Sequence, residues 1–138
     1  MPSDTAVKHL EFVQAAIDRM ARNSFQLKSW SVALTSGLFA LSVKEGSAAY
    51  VLLALFAIVA LWGLDGYYLL HERLYRALYA DVCRQRGTAT TTIEPFSMST
   101  TPYRSQVPGW LSTLKSPSVV GLHGVLVAVS VLYLILRH

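Results

Sequence analysis

Charge is what this sequence lacks most. Of its 138 residues only 14% are Asp, Glu, Lys or Arg, against about 25% in an ordinary soluble domain. Cysteine occurs once, at Cys83, which excludes an intramolecular disulfide and any cysteine-based zinc cluster. Neither Gly nor Pro interrupts the chain from Ser3 to Ser36, and proline is absent from Tyr50 to Arg86, so neither stretch holds a strong helix breaker. A cleavable leader is not apparent either. The first 28 residues carry Asp4, Lys8, Glu11, Asp18, Arg19, Arg22 and Lys28 where a leader would have an apolar core, so the N-terminus is expected to be retained.

What is present is apolar: 53% of residues are hydrophobic and the mean hydropathy is +0.40. Three blocks stand out, Trp30 to Val43, Tyr50 to Leu70 and Ser118 to Leu136. The second and third run roughly 20 residues, enough at about 1.5 Å per residue to cross about 30 Å of hydrocarbon; the first needs its flanks and some local thinning. The expected fold is all-α, an integral membrane protein with three transmembrane helices at about 29–44, 50–70 and 118–138. Ten of the 12 Lys and Arg residues fall before the first span or between the second and third, leaving Lys44 and Arg137 on the other side. The positive-inside rule then puts the N-terminus in the cytoplasm and the C-terminus outside. Basicity of this kind faces anionic lipid, and no direct nucleic-acid binding is expected.

The N-terminal segment repeats Leu10, Val13, Ile17 and Met20 at steps of three and four, a helical seam with the charges off it. Pro2 with Ser3 or Asp4 is a suitable start. Past the second span the same spacing continues through Leu74, Leu78 and Val82, and Gly87 is expected to end that helix. Gly46 can supply the backbone conformation needed where the first helix turns into the second. Residues 1–86 therefore read as one long helical hairpin whose lower half stands in the cytosol, its two seams facing each other. In one register Lys28 lies level with Glu72 and Arg19 near Asp81, giving two ion pairs. Residues 87–117, rich in Thr, Ser and Pro, read as a cytosolic connector, with an interfacial helix at 108–116 anchored by Trp110.

Catalytic motifs fail on inspection. The stretch "HER" at 71–73 has Tyr75 where a zinc protease has its second histidine, and "RNSFQL" lacks the histidine that a HEPN ribonuclease places after its arginine. With no phosphate loop, nucleophile elbow or acidic metal pair, neither enzymatic activity nor a cofactor is expected. Two ionisable residues remain inside the spans. Asp65 and His123 each lie about six residues from the cytoplasmic edge, roughly 8–9 Å deep, and so are level. Such a group normally faces protein or water. One reading pairs them, supported by Ser31, Thr35 or Ser36; another has Asp65 bonded to hydroxyls and His123 merely packed. A third makes the hydroxyl-rich first span, with Ser31, Thr35, Ser36 and Ser42, the wall of a wetted pathway that a single thin chain could enclose only as an oligomer.

The run "HLEFVQAAIDRMARNSFQLKSWSVAL", residues 9–34, resembles the opening of a widespread group of small bacterial multispan membrane proteins. The resemblance covers about the first 80 residues and is strongest in "IDRMARNSFQLKSW". It implies a bacterial inner (cytoplasmic) membrane location and an association with antiviral defence loci, where some such proteins disrupt membranes. No catalytic residue comes with it. The leading expectation is a homo-oligomer that assembles in the lipid bilayer to perturb or permeate it, as a defence effector; the alternative is a non-conducting adaptor or anchor that docks a soluble cytosolic protein partner.

Overall fold

The computed structural model describes residues 3–86 and 92–137, Ser3 by its backbone alone. Pro2, Gly87 and His138, expected above as a helix start, a helix end and the last residue of the third span, lie outside the described residues. Among the described residues every regular element is helical, and there are no strands. Helix α1 spans Ser3–Glu45, α2 Ala49–Gln85, α3 Trp110–Leu114 and α4 Pro117–Arg137, with one 3-10 turn at Thr101–Tyr103. Of these, α2 and α4 are long and apolar enough to cross a membrane.

Helix α1 reaches 43 residues because nothing in its first three-quarters breaks the hydrogen-bond ladder, and it ends where Gly46 takes φ +64°, a left-handed conformation that a side chain would disfavour. Ser47 then accepts the Ala49 amide on its hydroxyl at 3.3 Å, and α2 begins after a turn of three residues. Arg137 of α4 clasps that turn, bonding Ser42 Oγ at 3.3 Å and the Gly46 carbonyl. Helices α1 and α2 form the expected antiparallel hairpin, and α4 packs on both at the turn end, where the Phe39 and Tyr133 rings meet at 5.2 Å.

The two halves of the hairpin are built oppositely. In the half away from the turn, Val13 and Ile17 pack against Leu74, Leu78 and Val82 in an apolar core that Tyr103 closes and that Leu10 flanks. Met20 is half-buried above it. The connector is no loose loop there: Ile93, Met98 and Val107 pack on the core, and His9 bonds the Ser97 carbonyl at 2.8 Å. Phe96 is held at φ 64° with its ring edge-on to Phe12 at 5.9 Å, contacts that offset the roughly 1–2 kcal/mol a left-handed non-glycine residue costs. In the half near the turn the pattern inverts. Ser31, Thr35, Ser42, Asp65, His123 and Ser130 are buried among small or aliphatic residues such as Val51, Ala54 and Ile58, while Val43 (70%), Phe56 (74%) and Leu136 (77%) stand exposed.

Candidate functional site

The polar residues of the inverted half converge where α1, α2 and α4 meet. Lys28 Nζ lies 2.6 Å from Asp65 Oδ2 and 2.8 Å from Oδ1, and also donates to Ser24 Oγ at 2.9 Å. Ser24 Oγ in turn donates to Asp65 Oδ1 in a short bond. Asp65 is wholly buried, whereas 22% of the Lys28 side chain reaches the surface. Asp65 Oδ2 takes no well-directed hydrogen bond, so at 2.6 Å it is held by charge. The acid is therefore neutralised by a lysine on the neighbouring helix, and a charge that would be costly alone in hydrocarbon becomes a paired one.

On the far side of Asp65, His123 Nδ1 stands 3.7 Å from Oδ2. The ring is fully buried and spends both nitrogens: Nδ1 on the Val119 carbonyl one turn back at 3.0 Å, and Nε2 on Ser31 Oγ at 3.1 Å. A carbonyl only accepts, so Nδ1 carries a proton. Ser31 Oγ also lies 2.9 Å from the Leu27 carbonyl and has one proton for two acceptors. Two proton arrangements fit the same heavy atoms. Either Ser31 donates to a neutral Nε2, or it turns to Leu27 and accepts from a doubly protonated ring beside Asp65. Trp62 covers the outer face of His123 in a stack at 6.1 Å and 14°, and anchors its indole N–H on the Leu114 carbonyl at 3.1 Å.

Ser31, His123 and Asp65 thus stand in the order of a nucleophile, a base and an orienting acid, yet the details are those of cohesion. The ring bonds its own helix in place of the carboxylate, Ser31 is 1% exposed, and the amides around it are spent inside α1, leaving no donor for an oxyanion. Among the described residues no three His, Cys, Asp or Glu side chains gather as metal ligands.

Of the residues singled out by sequence, the structure brings Asp65 and His123 within reach of each other and sets Ser31 of α1 against His123. Thr35 is buried nearby with its hydroxyl unbonded, Ser42 is buried at the turn with its hydroxyl on the Ser47 carbonyl at 2.9 Å, and Ser36 faces outward. The two ion pairs of the expected register are not formed. Glu72 bonds Arg76 one turn on at 2.7 Å; Asp81 takes Arg84 at 3.4 Å and the Tyr103 hydroxyl at 2.9 Å; and Arg19 is exposed. The reason is the tight turn. Lys28 lies 17 residues before the end of α1 and Asp65 lies 16 after the start of α2, so these two are level, and Glu72 sits about 10 Å further down. Ser24 occupies the next position of the α1 seam after Met20, which sets it against α2, but that spacing alone does not show that its hydroxyl joins Asp65 and Lys28.

Outside the inverted half, the Tyr103 phenol is pushed well above its usual titration. Burial first, then its hydrogen bond to Asp81 and that residue's charge, raise it from 10.0 to about 12, with Arg84 opposing. No family model, curated protein or solved structure matches the chain.

Proposed function

We propose that the protein is a non-conducting anchor of the bacterial inner membrane, with three spans and a cytosolic N-terminus, whose cytosolic hairpin docks a soluble partner. The inside-out half fits hydrocarbon: its outward face is apolar, and its hydroxyls and charges are turned inward, as a membrane-embedded chain requires. One observation carries the non-conducting reading. Ser31, Thr35 and Ser42, the polar face a lumen would need, are buried inside a single chain against α2 and α4. A permeating oligomer, the defence-effector reading, would have to line its lumen with the hydroxyls left outside, Ser29 and Ser36.

The docking surface is the open groove of about 460 Å³ between α1 and the lower end of α2, with Val7, Leu10 and Tyr79 as its apolar wall, Glu11 and Asp18 on its α1 rim and Arg86 on its α2 rim. That chemistry fits an amphipathic helix with basic residues along one flank. Dye-loaded liposomes carrying the purified protein test the first half of the proposal: retention equal to that of empty liposomes is expected, and release overturns it in favour of permeation. A lysine-flanked amphipathic test helix should bind the liposome-embedded protein and lose affinity on Ala15→Lys, a groove residue; binding that ignores this change removes the groove as the docking surface.

A further inference from the structure

A second recess lies higher, where α2 passes out of its apolar face. Leu64 (49% exposed) is followed by the exposed Tyr67, and within two turns by the Glu72–Arg76 ion pair, so the polarity of the α2 surface changes over this stretch. Here α3 lies against α2. Trp110 gives its indole N–H to the Gly63 carbonyl at 3.0 Å, and Arg73 reaches Ser116 at 2.9 Å. Between α2 and the connector that leads into Trp110 opens a recess of about 380 Å³ whose walls include Tyr67, Leu70, His71, Arg104, Val107 and Trp110.

Its charge is one-sided. No carboxylate lines it, and the acids nearest along α2 are engaged elsewhere, Asp65 by Lys28, Glu72 by Arg76 and Asp81 by Tyr103 and Arg84. Among the described residues the Arg104 guanidinium bonds to nothing, which leaves its planar fork of donors free. His71 Nδ1 is 2.9 Å from the Tyr67 carbonyl and so carries the ring proton, leaving Nε2 as an acceptor on the neutral ring. Arginine fits a phosphate bidentately, and aromatic side chains beside it belong at the headgroup level of a bilayer.

We propose that this recess binds the headgroup of one anionic phospholipid, its phosphodiester on Arg104 and a headgroup hydroxyl on His71 Nε2, with the acyl chains running along the exposed face of α2 past Leu64. The inference rests on the membrane-embedded reading above, but not on the docking groove. Its test reconstitutes the whole chain into nanodiscs of phosphatidylcholine with a minor fraction of phosphatidylglycerol and counts the lipids retained on release by native mass spectrometry. Wild type should retain phosphatidylglycerol in excess of its share of the disc, Arg104→Gln should lower that excess about tenfold, the effect of losing one charge-assisted contact, and Arg104→Lys should keep part of it. Because the Arg104 side chain supports no other described residue, the Gln variant keeps its melting temperature in phosphatidylcholine discs; a variant that melts early overturns the assignment of Arg104 to lipid. Failure of wild type to enter discs overturns the membrane reading and this inference with it, whereas entry without lipid preference overturns this inference alone. If inorganic phosphate raises the melting temperature in phosphatidylcholine discs as much as phosphatidylglycerol does, the ligand is free phosphate and the lipid assignment falls.

Discussion

At the scale of single residues, Asp65 has no solvent of its own and depends on Lys28. Removing one partner of a buried pair leaves the other uncompensated, at about 3–5 kcal/mol; because Lys28 can move its ammonium outward, Asp65→Asn should cost near the lower end, about 3 kcal/mol. Thermal melting in detergent measures this, and the double variant Lys28→Met with Asp65→Asn should recover at least half of the loss. Additive losses would mean that the two charges do not act as a pair. Tyr103 makes a prediction about alkaline pH. Its folded-state value of about 12 stands above the 10.0 of an unperturbed tyrosine, so the folded state holds the phenolic proton more tightly than the unfolded one. The stability from Tyr103 is fully present below pH 10.0 and is lost as pH rises toward about 12. Tyr103→Phe should remove about 1–2 kcal/mol at neutral pH and flatten that alkaline decline; a titration of melting temperature that keeps the decline in the Phe variant would assign it elsewhere.

At the scale of elements, the five-residue α3 is held by two indole bonds and a notch. A Cβ at Gly66 would lie 2.5 Å from Leu114 Cδ2 and 3.3 Å from its Cγ, whereas one at Gly63 would make ordinary contact with Trp110 at 3.5 Å, so the bare backbone at Gly66 is what lets α3 sit down. Gly66→Val should lift α3, release both indole N–H groups and shift tryptophan emission to the red, with Leu114→Ala in the same chain restoring it; unshifted emission would show that Leu114 simply rotates away. The long helices were legible in the sequence because their signal is local: three-and-four spacing of Val13, Ile17, Leu74 and Leu78 with no breaker between. Register was not, since it depends on how many residues the turn consumes, and periodicity is blind to a shift of two whole turns. The docking of the connector was equally hidden. Its composition marks it as irregular, and nothing local says that Tyr103 reaches Asp81 or that Phe96 meets Phe12.

At the scale of the whole molecule, the proposed orientation has a direct check in the lone cysteine. Cys83 is exposed near the end of α2 furthest from the turn, so a membrane-impermeant maleimide should label it in inverted vesicles and not in intact spheroplasts. Labelling from the outside would reverse the topology. Helix α1 has one further consequence, mechanical in kind. Its 43 residues form a rod of about 65 Å without a proline hinge, and its strongest polar grip on the rest of the chain is at Lys28, with 25 residues below that point and 17 above. Two further ties flank it: Val13 and Ile17 pack into the core shared with α2 below, and Arg137 of α4 clasps Ser42 and Gly46 above. Held at three heights, α1 resists tilting about any one of them, so a load on its lower end is passed to α2 and α4 together.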